Sequence, residues 1–240
     1  MDPKLQPIPI GENHQASPRM DSTLDVRQNR VLRNTYWLLA LSLLPVVAGA
    51  FVGSAFNFAS LFKAAPIMTP LLMFGAMMGM LFAVTALRNS AWGVAALFGF
   101  TFVSGVFLTP ILTVAAGFRN GGQLVALAGG MTAAIFFAMA TIATVSKRDF
   151  SFLGKFLFIG MILLIVASLA NLFFQVPAVS LTISAIAVLI FSAYLLHDIS
   201  RIVNGGETNY VMATLGVFLS LYNIFTSLLH ILMAFTGDRD

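Results

Sequence analysis

Residues 156–196, FLFIGMILLIVASLANLFFQVPAVSLTISAIAVLIFSAYLL, form a run of 41 residues without an Asp, Glu, Lys, Arg or His side chain. As a single helix this run would be about 60 Å long at 1.5 Å per residue, which is twice the roughly 30 Å thickness of a bilayer's hydrocarbon core. Asn171, Gln175 and Pro177 lie at its middle, where they favour a turn. The run therefore predicts two membrane-spanning helices, 156–174 and 177–196, joined by a tight hairpin.

The rest of the chain repeats this apolar pattern. Further spans are predicted at 36–56, 67–87, 92–116, 124–145 and 210–235. Hydrophobic residues make up 59% of the chain and charged residues 9%, compared with about 25% charged residues in soluble domains. Because backbone facing lipid must satisfy its own hydrogen bonds, every span is expected to be helical. The sequence predicts an all-α integral membrane protein with a seven-transmembrane-helix bundle in a membrane domain, residues 34–236. A flexible polar tail, 1–33, precedes this domain and a short tail, 237–240, follows it.

The basic residues orient this bundle. Of the 13 Lys and Arg residues, all but Lys63, Arg119 and Arg239 fall on the side of the N-terminus. Cytoplasmic loops of membrane proteins carry the excess of Lys and Arg. The tail 1–33 is therefore predicted to be cytoplasmic, with the C-terminus on the opposite side. The basic residues stand singly rather than in a block with aromatic residues, so no nucleic-acid partner is expected.

Polar residues enter the last span in a regular pattern. Gly216, Ser220, Asn223, Ser227 and His230 follow one another at spacings of four and three residues, which places them on one helix face. Such a face is costly against lipid, so it is expected to meet other helices or a water-filled cavity. Two interpretations of this polar face are open: its side chains form hydrogen bonds to neighbouring helices, or they line a polar cavity. The residues assigned to the cavity are Ser104, Tyr194, Ser227 and His230.

Asp198 is the carboxylate that abuts a span, whereas Asp149 and Glu207 are predicted to lie in loops. One interpretation makes Asp198 a proton- or cation-responsive group, because acids within membranes are usually functional. The other makes it a solvated carboxylate that pairs with Arg201 or His197 as the helix leaves the membrane. The candidate ion- or proton-sensing residues are Asp198, Arg201, His197, Ser220 and Asn223.

Small residues indicate where helices approach closely. Gly75 and Gly79 form a GxxxG pattern, and Gly129 and Gly130 lie together in the fourth span. They are predicted to pack within the bundle rather than at a dimer face.

Catalytic motifs such as HExxH, GxSxG and GxxxxGK[ST] do not occur, and the chain has no cysteine. We expect neither an enzyme nor a cofactor or metal site.

Two segments resemble a known family. The sixth-to-seventh-span segment FSAYLLHDISRIVNGGETNYVMATLGVFLSLYNIFTSLLHIL, residues 191–232, and FTFVSGVFLTPIL, residues 100–112, resemble the Bax inhibitor family, and the first is most similar to its bacterial YccA-like branch. The resemblance implies a seven-helix bundle around a central polar cavity. In calcium-leak members, paired Asp residues of the sixth and seventh spans open the pore on taking up a proton. Those positions correspond here to Asp198 and Ser220, and Ser104 replaces an acid that many relatives carry in the third span.

The YccA-like branch implies a multi-pass protein of the bacterial inner membrane, with the C-terminus in the periplasm. Its members bind the FtsH protease and its HflK/HflC partners and modulate the degradation of membrane proteins. FtsH-type proteases engage cytoplasmic segments, and residues 1–33 are the predicted candidate. The expected partners are membrane lipid, FtsH and HflK/HflC. A pH-sensitive leak of calcium ions centred on Asp198 is the alternative function.

Overall fold

The computed structural model describes residues 18–146 and 148–236, with side chains from Gln28 onward. In this part the chain forms eight helices: α1 (Pro18–Ala55), α2 (Ser60–Ala64), α3 (Met68–Leu87), α4 (Trp92–Ala116), α5 (Gly121–Ser146), α6 (Leu153–Phe174), α7 (Pro177–Val203) and α8 (Tyr210–Thr236).

Seven of these helices are long and apolar enough to cross a membrane, namely α1 from Gln28 onward and α3 to α8. The all-helical class and the count of seven spans are confirmed, and the chain is a multi-pass membrane protein. The predicted tail 1–33 lies partly outside the described residues, and the tail 237–240 lies wholly outside them. From Pro18 the chain is helical and continues without a break into the first span. The short α2 was not predicted.

The long apolar run divides into two helices as predicted. α6 ends at Phe174, and Gln175 adopts a left-handed conformation with φ of 52°. The Asn171 side chain closes this hairpin: its carbonyl oxygen accepts the Val176 N–H at 3.1 Å, and its amide donates to the Ser180 hydroxyl at 2.7 Å. Pro177 occupies the first turn of α7, where the missing N–H removes no helical hydrogen bond.

The centre of the bundle is α8, which packs against α1, α4, α5 and α7. Its Ile224 and Leu229 are fully buried together with Phe100 of α4 and Leu195 of α7. At the periphery, α3 packs chiefly on α4, and α6 packs on α7. The polar stripe of the last span therefore lies on a helix that packs against four others.

The closest helix approach joins α1 to α4. A methyl group at Gly49 would overlap the backbone carbonyl of Phe102, and one at Gly105 would overlap that of Val46. By contrast, a methyl group at Gly75, Gly79, Gly129 or Gly130 would meet no atom within 4 Å. The prediction that these four glycines pack within the bundle is wrong. Glycines that let two spans approach backbone to backbone lie instead on α1 and α4.

The spans alternate in direction, so that the connections meet at two ends. The start of α1 and the α3–α4, α5–α6 and α7–α8 connections share one end, which we call the Asp198 end. The remaining connections share the other, which we call the His230 end. Contacts between the connections support this arrangement, since Asn209 donates to the Arg88 carbonyl at 3.0 Å and to the Asn89 side-chain carbonyl at 2.9 Å.

Candidate functional site

A cavity of about 230 Å³ opens beside Asp198. Thr85 of α3, the last turns of α7, the segment before α8 and the first half of α8 enclose it. The polar and charged side chains in its wall are Thr85, Asp198, Arg201 and Glu207. A carboxylate at a cavity wall within a membrane helix is a functional-site candidate by default.

The Asp198 carboxylate is held from two sides. One oxygen lies 3.0 Å from His197 Nδ1, and His197 itself is buried. The other oxygen faces Gly216 of α8, where an added methyl group would lie 2.8 Å from it. The glycine in the polar stripe therefore provides the space for the carboxylate. The cavity wall therefore holds a carboxylate that is hydrogen-bonded to a buried imidazole.

Arg201 interacts with Glu207 rather than with Asp198. Its guanidinium lies 3.7 Å from the Glu207 carboxylate and donates to the Gly206 carbonyl at 3.2 Å. Both side chains are partly exposed, and such pairs contribute about 0–1 kcal/mol. Of the two partners considered for Asp198, the structure selects His197. Glu207 lies in a loop, as predicted, and the tight turn at 204–206 brings it to the wall of the same cavity.

The connection between α5 and α6 is anchored to α7 close to the Asp198–His197 pair. The buried Ser200 hydroxyl donates to the Arg148 carbonyl at 3.0 Å and accepts the Phe150 N–H at 3.1 Å. Nearby, the hydroxyl and backbone N–H of Ser151 donate to the Asp149 carboxylate and hold its pKa below the ordinary value. That hydrogen bonding favours the folded connection at neutral pH and is lost as the pH falls through the lowered pKa. Sequence reasoning missed Ser200, because a serine at a helix end carries no distinctive signal.

The other predicted sensing residues lie away from the Asp198 cavity. Ser220 is buried and does not line this cavity, whereas Gly216 and Leu219 of the same helix do. The Asn223 amide donates to the Leu219 carbonyl at 2.8 Å, and its side chain lines a different cavity.

Two further cavities adjoin in the half of the bundle nearer the His230 end. The first, of about 490 Å³, is lined by Asn223 and Ser227 among others, and the second, of about 640 Å³, by His230. Ser168 of α6 lines both. His230 Nδ1 lies 2.9 Å from the Ser184 hydroxyl of α7. Both interpretations of the polar stripe therefore apply in part, since it forms an interhelical hydrogen bond and also lines cavities.

Ser104 and Tyr194, which were assigned to the polar cavity, line none of these three cavities. The buried Ser104 hydroxyl donates to the Phe100 carbonyl at 2.8 Å and lies 3.7 Å from the Met77 sulfur. The Tyr194 ring packs against Phe191 and against His197, with ring centroids 6.0 and 6.3 Å apart. The Asp198 cavity shares no lining residue with the other two cavities.

Seven apolar spans and a carboxylate set among them define a multi-pass membrane protein with a polar site inside its bundle. The family model described as the inhibitor of apoptosis-promoting Bax1 matches residues 28–237, which is most of the chain. The chain belongs to the Bax inhibitor family.

The chain is also similar to individual bacterial proteins. It is 38% identical over 218 residues to the Modulator of FtsH protease YccA of Escherichia coli K12, covering 88% of this chain and 93% of that protein. An uncharacterized protein of Neisseria meningitidis serogroup A is 39% identical over 215 residues, covering 89% of this chain and 94% of that protein. An uncharacterized membrane protein of Vibrio cholerae is 38% identical over 213 residues, covering 89% and 92%. These findings confirm the resemblance to the YccA-like branch and the assignment to the bacterial inner membrane, since the same relative in another Escherichia coli strain is named an inner membrane protein.

Proposed function

We propose that this protein modulates membrane-protein degradation by an FtsH-type protease, through binding rather than catalysis. The observation that carries the proposal is the 38% identity to a modulator of FtsH protease, which extends over 88% of this chain. The likeness covers the whole bundle rather than one motif, so a shared mode of action is the simplest account of it. We further propose that this protein binds the protease in its complex with HflK and HflC.

We propose that the Asp198 end is cytoplasmic and the His230 end periplasmic. The described basic residues support this orientation, because they concentrate at one end. Arg30, Arg33, Arg88, Arg148, Lys155 and Arg201 belong to the Asp198 end, and Lys63 and Arg119 to the other. In this orientation the chain ahead of α1 lies on the cytoplasmic side, where an FtsH-type protease acts.

Residues 2–17, which precede α1, are the proposed segment that the protease engages. A protease that pulls on this segment would exert force on α1. The glycines of α1 lie against the α4 backbone in a close helix contact. A protease that must separate this contact would proceed slowly, and while engaged it would not degrade other membrane proteins. Slow competition of this kind is the mechanism we propose.

The test is a pulse-chase measurement of half-life in cells with and without the FtsH-type protease. We expect the full chain to be longer-lived when the protease is absent. Deletion of residues 2–17 should lengthen the half-life in the presence of the protease, because its point of engagement is lost. Deletion of 237–240 is the matched control, since that end is proposed to face the periplasm, and should change nothing.

Affinity purification from native membranes, with the tag after Asp240, provides an independent readout. The protease and HflK/HflC should copurify with the intact chain. A half-life that is the same with and without the protease, together with purification free of the protease, would refute the proposal.

A second candidate function is a pH-sensitive calcium leak centred on Asp198. The observation that favours it is the Asp198 carboxylate in a cavity wall beside Thr85 and Gly216. Purified protein in vesicles should then pass calcium in a pH-dependent manner, and Asp198→Asn should alter that dependence. Vesicles that remain impermeable to calcium between pH 5 and 8 would exclude this function.

A further inference from the structure

The two cavities in the half of the bundle nearer the His230 end form one feature, which we call the lateral cleft. It runs between α6, α7 and α8, and its two parts meet where Ser168 and Leu172 line both. Pro70 and Phe74 of α3 border its larger apolar part. The lateral cleft contains neither Asp198 nor Glu207, so it is separate from the Asp198 cavity.

The walls of the lateral cleft have the composition of a ligand pocket. Its parts measure about 490 and 640 Å³, within the range of roughly 300–1,000 Å³ of small-molecule sites. Most of the lining is apolar, with Leu164, Leu172 and Phe191 among it, and a few hydroxyl and amide groups point inward. No Asp, Glu, Lys or Arg is among its lining residues in the described part of the chain.

Two hydroxyl groups in this cleft lack a protein partner. In the spans most Ser and Thr hydroxyls donate to the carbonyl one turn earlier, as Ser184 does to Ser180 at 3.0 Å and Ser192 to Val188 at 2.6 Å. For Ser168 and Ser227 no hydrogen bond to any described residue exists, and both line the cleft. A polar group left unsatisfied at membrane depth is unfavourable. Neither residue is fully buried, so both hydroxyls are able to bond to a partner that is not part of the chain.

The lateral cleft is accessible from the membrane. α3 packs on α4 and α6 packs on α7, so the two helices that flank the larger part are held by different neighbours. Phe74 on α3 and Ser168 on α6 are both exposed at this border. A molecule dissolved in the bilayer reaches the cleft between these helices without crossing a polar loop.

We propose that the lateral cleft binds an uncharged amphiphile from the membrane, one that carries a hydroxyl or ester group on an acyl chain. Its polar group bonds to Ser168 and Ser227, and its chain lies along Leu164, Leu172 and Phe191. The chemistry of the walls determines this class. A phosphate or carboxylate headgroup would need a cationic partner, but the described lining holds no Lys or Arg, and the Nδ1 of His230 is already bonded to Ser184. An unsubstituted hydrocarbon would leave both hydroxyls unpaired.

The probe is a monoacylglycerol with a photoreactive diazirine in its acyl chain, added to the full chain in vesicles of phosphatidylethanolamine and phosphatidylglycerol. After illumination, mass spectrometry locates the labelled peptides. We expect saturable labelling of α6, α7 and α8 around Leu164, Phe191 and Ser227. Unlabelled monoacylglycerol should displace the probe, and the fatty-acid anion of the same length should not.

The paired variant Ser168→Ala/Ser227→Ala should weaken binding of the probe about tenfold, since each lost hydrogen bond in a membrane corresponds to roughly threefold. Ser192→Ala/Thr141→Ala is the matched control, because both hydroxyls bond to their own helix and lie outside the cleft. It should bind as the unmodified chain does. Labelling that does not saturate would overturn the proposal, because a cleft that holds only water has no specific site for the probe. So would equal displacement by the fatty-acid anion, or binding unchanged in Ser168→Ala/Ser227→Ala.

Discussion

Ser200 connects two parts of the Asp198 end through a single hydroxyl. It donates to Arg148 and accepts from Phe150, so the connection between α5 and α6 is held against the last turn of α7. Asn204 adds a contact of 3.3 Å to the same Arg148 carbonyl. His197, which bonds to Asp198, lies one turn before Ser200 with its ring over Gly154 of α6. The position of the imidazole therefore depends on how this connection is anchored.

Ser200→Ala should lower the free energy of unfolding by about 1–3 kcal/mol, because it removes the hydrogen bonds to the Arg148 carbonyl and from the Phe150 N–H, each worth about 0.5–1.5 kcal/mol. The measurement is reversible unfolding in detergent, followed by circular dichroism. Thr182→Ala is the matched control, since its exposed hydroxyl bonds only to the Ala178 carbonyl of its own helix. We expect a change within about 0.5 kcal/mol there. Equal effects of the two substitutions would contradict the anchoring role.

Helix pairs in this bundle are joined by two different means. α1 and α4 approach through glycine, so that backbone meets backbone at Gly49 and Gly105. α7 and α8 pack along their length and add a side-chain bond between Ser184 and His230. Without a hydrophobic driving force between helices in lipid, close packing and interhelical hydrogen bonds are what hold such pairs together.

Gly105→Ala is expected to destabilise the fold by about 1–3 kcal/mol, because its methyl group overlaps the Val46 carbonyl and the backbones must separate. Gly79→Ala is the matched control in open space, and there the better helix propensity of alanine should leave stability unchanged or raise it by up to about 1 kcal/mol. Unfolding in detergent measures both. Opposite signs support the α1–α4 contact, whereas a stable Gly105→Ala would show that it is not required.

The Ser184–His230 bond is best measured by a double-mutant cycle. Ser184→Ala, His230→Ala and the double variant should give a coupling free energy of about 0.6–2 kcal/mol, the range for hydrogen bonds between membrane helices. Stability of each variant in detergent provides the four values. Ser192→Ala with His230→Ala is the control cycle, since the Ser192 hydroxyl donates to the Val188 carbonyl. Coupling that is the same in both cycles would indicate that the 2.9 Å contact contributes nothing specific.

Considered as one body, the bundle has two unlike ends. One holds the Asp198–His197 pair and most of the described basic residues, and the other opens through the lateral cleft toward lipid. α8 passes between them, with Gly216 facing Asp198 and Ser227 in the cleft. We propose the membrane face of each end from the distribution of Lys and Arg.

A fusion after Asp240 tests that assignment. Alkaline phosphatase joined there should be active, because it requires the periplasm, whereas β-galactosidase at the same position should be inactive. A fusion within the α5–α6 connection, after Arg148, should behave in the opposite way. Active β-galactosidase after Asp240 would place the C-terminal end in the cytoplasm and refute the proposed orientation.

The number of spans and most of their bounds were determined by the sequence. Hydropathy acts locally, since each segment of about 20 apolar residues partitions into the bilayer by its own composition. The hairpin at 174–177 followed in the same way, because Asn171, Gln175 and Pro177 act on the backbone beside them. The choice of Asp198 as a candidate site residue was also possible from the sequence, since a carboxylate beside a span is rare whatever surrounds it.

The tertiary structure alone decided which side chains meet. The GxxxG pattern of Gly75 and Gly79 faces open space while Gly49 and Gly105 form the close contact, and Asp198 pairs with His197 while Arg201 turns to Glu207. The polar stripe of α8 likewise serves separate cavities. These outcomes depend on how each helix is rotated and which helix lies beside it. Rotation and neighbours arise from packing between segments far apart in the chain, which no local pattern encodes.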